Sequence, residues 1–156
     1  MLSTLVMMVS IEKLEDLYLF ANEIRNNVLD LLKNAGSGHL GGSFSSAEIL
    51  STLFNYELKI DPSNPSWDDR DRFILSKGHA APAFYATLAQ LFFFSKSEFL
   101  KFRQVNGLLQ GHPELIIPGV EYIAGFLGQG LSSGCGMALS FKRQNKSNRV
   151  FTLIGD

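Results

Sequence analysis

A chain of 156 residues is long enough for one domain with a sizeable core. Apolar residues at 46% and charged residues at 19% describe an ordinary folded protein. A net charge of -1, with no long basic run, argues against nucleic acid as a partner, and the lone cysteine, Cys135, excludes an intrachain disulfide and points to a reducing, cytoplasmic compartment.

Residues 1–10 are mildly apolar but carry no basic leader. Their apolar run is too short for a signal peptide or a membrane span, so they are expected to form an N-terminal arm. Residues 11–156 are expected to form one domain. Leu14, Leu17, Ala21, Ile24, Val28, Leu31 and Ala35 recur at spacings of three and four, which predicts an amphipathic helix over 11–35. Ser10 is its expected N-cap and Gly36 its stop.

Gly36-Ser-Gly-His-Leu-Gly-Gly-Ser43 is too glycine-rich for a helix interior or a strand and predicts a loop. His39 sits within it, either as a structural histidine or as a ligand-facing one. Ser45-Ser-Ala-Glu48 has the form of a capping box opening a helix to about Tyr56. Asp61-Pro-Ser-Asn-Pro65 is a turn, and Trp67 to Arg72 is expected to be a solvated loop whose ion pairs contribute little.

Phe73-Ile-Leu75 reads as a short buried strand running into Ser76-Lys-Gly-His79 and then a helix, with Pro82 in its first turn. That places His79 at a strand-to-helix junction, where ligands bind in open α/β sheets. Residues 83–94 predict a helix ending in three phenylalanines, which are either core or a contact with another subunit. Ser95 to Glu98 suggests a second capping box and a short helix to about Phe102.

Asn106 to Gly119 is mostly loop and contains Gly111-His-Pro-Glu114. All three histidines therefore lie in loops beside glycine, which favours a shared polar site. Gly125-Phe-Leu-Gly-Gln-Gly130 leads into a helix to about Lys142, whose small residues predict close packing, with Cys135 as a small buried thiol. Val150 to Ile154 predicts a fully buried central strand of a parallel sheet. Gly155 and Asp156 stand at its ligand-binding end, where a carboxylate suits a hard cation.

Gly36-Ser-Gly-His-Leu-Gly-Gly42, Asp71-Arg-Phe-Ile-Leu-Ser-Lys-Gly-His79, Gln110-Gly-His-Pro-Glu114, Gly125-Phe-Leu-Gly-Gln-Gly130 and Ile154-Gly-Asp156 occur in that order. Together they resemble the N-terminal, pyrophosphate-binding part of transketolase, most closely the two-gene form in which this part is a separate subunit. The resemblance implies an α/β thiamine diphosphate-binding fold, a parallel sheet flanked by helices, incomplete at its C-terminus. It implies transfer of a two-carbon ketol unit between sugar phosphates, with thiamine diphosphate and Mg2+ (or Ca2+) as cofactors.

By the same resemblance, His39 and His112 act catalytically on substrate hydroxyls. His79 contacts the diphosphate, and Gly125, Phe126, Leu127, Gly155 and Asp156 bind the cofactor, with Asp156 on the metal. The partner is a pyrimidine-binding C-terminal subunit, in an oligomer. Leu40, Ala124 and Phe126 depart from the family pattern, in which proline is common after the first histidine and small hydroxyl residues or proline are often found at the positions of Ala124 and Phe126. The Gly-Asp-Gly motif is cut after Asp156, so the chain is expected to be inactive alone. A non-catalytic remnant or interaction module, and a related thiamine diphosphate synthase, are the alternative readings.

Overall fold

The computed structural model describes residues 10–155. The N-terminal arm expected over residues 1–10 lies, apart from Ser10, outside the described residues, as does Asp156. Helix α1 spans Ile11–Ala35. Ser10 caps it by accepting a hydrogen bond from the Lys13 amide on its Oγ at 3.2 Å, and Gly36 ends it in the left-handed conformation at φ 63°. Ala21, Ile24, Val28 and Leu31, one stripe of the helix, are fully buried.

Two expectations for the next segment fail. Leu40–Phe44 forms a short helix, α2, through the glycines, and α3 spans Ala47–Thr52 before loosening into a wider turn over Leu53–Glu57. The capping box does not form, because the Ser45 and Ser46 hydroxyls both donate back to the Gly42 carbonyl and Glu48 pairs with Arg25 instead.

Strand β1, Arg72–Leu75, is buried throughout, and β2, Val150–Leu153, runs parallel to it with Phe73 opposite Phe151 and Leu75 opposite Leu153. The two faces of β1 serve different layers, as alternation requires. Phe73 packs with Phe54 and Phe84, ring centroids 5.0 and 5.1 Å away, within the core formed with α1, α3 and α4 (Ala81–Gln90). Ile74 faces α5, Gln129–Arg143, where Gly130 and Gly134 bring the helix backbone close to the sheet. The architecture is the expected α/β one, a parallel sheet with helices on both faces. β2, however, is half-buried along its whole length rather than fully buried, since β1 is its one hydrogen-bonded neighbour among the described residues.

Three further expectations are corrected. Helix α4 stops at Gln90, so Phe92 lies beyond it at φ 65° and points to solvent, while Phe93 and Phe94 pack against the core. Cys135 is exposed, on the side of α5 turned away from the sheet. The charged run is a solvated turn only in its first part, where Asp68 and Asp69 are exposed; at its end Asp71 and Arg72 are buried.

Asp71 accepts from the Lys59 amide at 3.0 Å, the Arg149 amide at 2.8 Å and the Arg149 guanidinium at 2.7 Å, fastening the starts of both strands together. Burial alone would push the Asp71 carboxyl up. The hydrogen bonds from Arg149 and the two amides outweigh it and hold the group below its ordinary range.

Candidate functional site

The site is built where β1 ends. The Ser76 amide donates to the Leu153 carbonyl at 2.8 Å, so the ends of both strands arrive together, and the chain turns through Gly78–Ala80 into α4. This is the carboxyl edge of the sheet, where open α/β folds bind ligands.

Gly78 is the meeting point. A Cβ on it would lie 2.3 Å from the Ala124 carbonyl oxygen and 2.6 Å from Cδ2 of the His112 ring. The His112 loop and the loop before α5 therefore both pack on this one residue. Tyr85 of α4 donates its hydroxyl to the Gln110 carbonyl at 2.9 Å, which holds the His112 loop in place. Burial, with the negative charge of Glu114 adding to it, pushes the Tyr85 hydroxyl up, so it stays a protonated donor.

His79 follows Gly78, and the space beside its ring exists because Gly42 has no side chain: a Cβ there would lie 2.8 Å from Cδ2 of His79. His39, in extended conformation at the start of α2, meets His79 edge to face with ring centroids 5.4 Å apart. Its carbonyl accepts from the Ser43 hydroxyl at 2.8 Å. All three histidines thus gather around the turn after β1, as the sequence suggests.

Lys77, which the histidine and glycine motifs do not single out, belongs to the same place. It is 8% exposed, its Nζ reaches Ser45 Oγ at 3.4 Å, and among the described residues no carboxylate pairs with it. Gly155 packs against its stem. A buried ammonium without an acidic partner is costly unless an anion neutralises it. Nearby, the buried Ser76 Oγ has no hydrogen-bond partner among the described residues and faces Gly130 in the first turn of α5. The signal available in the sequence is a lysine two residues past the apolar run Phe73-Ile-Leu75, between Ser76 and Gly78.

The remaining expected residues are placed less closely. Ala124 is buried against Gly78, but Gly125, Phe126 and Leu127 are exposed, Phe126 by 73% and Leu127 by 67%, on the open side of the site before the Gly128 cap of α5. Asp156, the expected metal ligand, lies outside the described residues. Among the described residues no three of His, Cys, Asp and Glu converge as a metal centre. The donors gathered here fit an anionic group, with a buried lysine, a serine hydroxyl and glycine backbone open to close approach. They do not by themselves make a cation site.

Comparison with known proteins places the chain in a family. The family model "Transketolase, thiamine diphosphate binding domain" matches residues 18–151. The 6-deoxy-6-sulfo-D-fructose transketolase subunit of Clostridium sp. (strain MSTE9) is 40% identical over 142 residues, 90% of this chain and 52% of its own. An apulose-4-phosphate transketolase subunit of Phocaeicola vulgatus is 34% identical over 144 residues, covering 92% and 51%. The chain thus spans about half the length of these curated relatives. Among solved structures, transketolase from Campylobacter jejuni superposes with a TM-score of 0.84 at 34% identity, over 95% of this chain and 24% of that one.

Proposed function

Because the chain belongs to the transketolase thiamine diphosphate-binding family, we propose that it is the diphosphate-binding component of a transferase that moves a two-carbon ketol unit from a ketose to an aldose. The observation that carries this reading is the gathering of His39, His79 and His112 around Gly78, beside the buried, acid-free Lys77. Thiamine diphosphate, when bound, supplies the carbanion-stabilising chemistry, and the protein supplies positioning and charge.

In this reading Lys77 and His79 take the diphosphate end. The lysine gains the anionic partner that its burial demands. His39 and His112 serve as proton carriers for substrate hydroxyls, since imidazole changes protonation near neutral pH. Gly125, Phe126 and Leu127 line the cofactor on the open side, and Phe126 narrows the approach. Gly155 follows β2, and Asp156, next in the sequence, would share Mg2+ or Ca2+ with the diphosphate.

The glutamate that activates the cofactor in this family comes from the pyrimidine-binding half, and the subunit relatives support a reading in which a partner subunit supplies it and residues 1–156 alone would be inactive. The names of the two subunit relatives carry a sulfonated sugar and a sugar phosphate. The substrates proposed here are accordingly sugars with an anionic terminus, sugar phosphates first. Cytoplasmic location fits the free cysteine, and among the described residues no helix is long and apolar enough to cross a membrane.

Titration calorimetry with thiamine diphosphate and Mg2+, with and without a pyrimidine-binding subunit, tests the proposal. Weak binding by the chain alone and tight binding in the pair are expected. Tight binding by the chain alone would contradict the requirement for a partner, and no binding in either case would contradict the cofactor.

A further inference from the structure

The segment from Glu121 to Gly128 brings Ala124 onto Gly78 and carries Gly125, Phe126 and Leu127 to the site. Among the described residues, the backbone of 122–127 makes no hydrogen bond. An irregular segment without backbone ties has little to fix its position except packing and its ends. At its far end, α5 seats on the sheet through Gly130 and Gly134. At its near end sits Glu121.

Glu121 is held from below by two arginines of the β1 approach. Arg70 Nη2 lies 2.8 Å from its Oε1, and Arg72 Nε lies 3.5 Å from its Oε2. All three side chains are nearly enclosed, at 14%, 10% and 13% exposure for Arg70, Arg72 and Glu121. Both guanidiniums are themselves fixed. Arg72 donates to the Asp68 carbonyl at 3.1 Å and lies over the Phe141 ring of α5 at 5.4 Å, while Arg70 Nη1 donates to the Trp67 carbonyl.

Residues 70 and 72 share one side of an extended chain, and Asp71 between them points to the other, where it takes Arg149. The three consecutive charges therefore have separate tasks. Asp71 fastens strand to strand, and its two neighbours fasten strand to loop.

We propose that Glu121 is a positioning residue: its ion pairs with Arg70 and Arg72 fix the near end of the 121–128 segment, and through Ala124 fix where Gly125 to Leu127 stand beside Gly78 and His112. The functional consequence rests on the proposed reading, in which those residues meet thiamine diphosphate. The positional claim stands without it.

The test compares Glu121→Gln, which keeps size but removes charge, and Glu121→Ala with Asp71→Asn, which breaks the opposite-side pair of the same strand. Backbone amide relaxation on the full chain reports order in 122–127. The two Glu121 variants should lower the order parameters there from about 0.85 towards 0.6 or less while α4 stays rigid, and Asp71→Asn should not. Titration with thiamine diphosphate and Mg2+ should weaken about tenfold in Glu121→Gln, the factor that goes with losing a charge-assisted hydrogen bond, and stay unchanged in Asp71→Asn.

Unchanged order in Glu121→Gln, or equal loss in Asp71→Asn, overturns the proposal. If Glu121→Ala does not fold, Glu121→Gln decides alone. If neither the parent chain nor its pair with a pyrimidine-binding subunit takes up thiamine diphosphate, the functional reading fails while the order parameters still decide the positional claim.

Discussion

Gly78 and Ala124 approach so closely that a methyl group on Gly78 would stand 2.3 Å from the Ala124 carbonyl oxygen. The obstacle is backbone, which cannot rotate away, and the His112 ring closes the other side at 2.6 Å. Gly78→Ala must therefore push apart the two loops that meet here. Overpacking of this kind costs about 1–3 kcal/mol. The expected outcome is a matching loss in urea denaturation, together with loss of thiamine diphosphate binding. A Gly78→Ala chain of unchanged stability would mean that the loops do not meet on Gly78.

Lys77 gives a prediction of opposite sign for stability. Replacing a buried charge that lacks an acidic partner by an apolar side chain of similar length relieves desolvation. Lys77→Met should therefore leave the fold as stable or raise stability by about 1 kcal/mol. The same change should weaken binding of inorganic pyrophosphate at least tenfold, the scale of a charge-assisted hydrogen bond of about 1.5–3 kcal/mol. Thermal denaturation and pyrophosphate titration separate the two effects. A destabilised Lys77→Met would assign the lysine to the scaffold instead.

Much of this arrangement is legible in the sequence, and the exceptions share a cause. Helix α1 can be read because its stripe, its Ser10 cap and its Gly36 stop are local signals. The strand at Phe73 and the histidine-bearing turn after it can be read for the same reason. What fails depends on partners distant in the chain. Asp71 and Arg72 look solvated until Arg149 and Glu121 arrive. The serines after Gly42 look like a capping box until their hydroxyls find the Gly42 carbonyl. Cys135 looks buried among small residues, yet Gly130 and Gly134 are the ones that face the sheet.

Asp71 predicts an acid-sensitive fold. Its carboxyl titrates below the ordinary value of 3.8 in the folded chain. A group whose folded value is depressed contributes stability that is present above the unfolded value and is lost as pH falls through the folded one. Stability of the parent chain should thus decline below about pH 4. Asp71→Asn should lose about 2–4 kcal/mol at neutral pH and show a flatter acid limb. The lower part of that range is favoured because 47% of the Arg149 side chain is in water. Urea midpoints from pH 3 to 7 measure both effects.

Helix α5 offers a paired comparison. A Cβ at Gly134 would lie 2.5 Å from Thr152 Oγ1, whereas one at Gly136 meets nothing within 4 Å. Gly136→Ala should stabilise by about 0.5–1 kcal/mol through helix propensity alone. Gly134→Ala gains the same propensity but must displace the Thr152 hydroxyl, and Gly134→Val must also move the helix off β2. The order of melting temperatures should be Gly136→Ala, then Gly134→Ala, then Gly134→Val. Equal values for the two alanine variants would mean that α5 does not pack on β2 through Gly134.

Cys135 tests which side of α5 faces outward. Its exposure on the helix side away from the sheet, next to the open Gly136, predicts one thiol per chain that reacts with an aromatic disulfide reagent without denaturant. Leu131 and Leu139, one turn before and after it, are exposed too. Phe126 and Leu127, in the segment that leads into this helix, are exposed as well. If the pyrimidine-binding subunit covers this side of α5 as it completes the site, mixing the two should slow the thiol reaction. A thiol unreactive in the isolated chain would reverse the orientation of α5. A thiol equally reactive in the pair would send the partner to a different face.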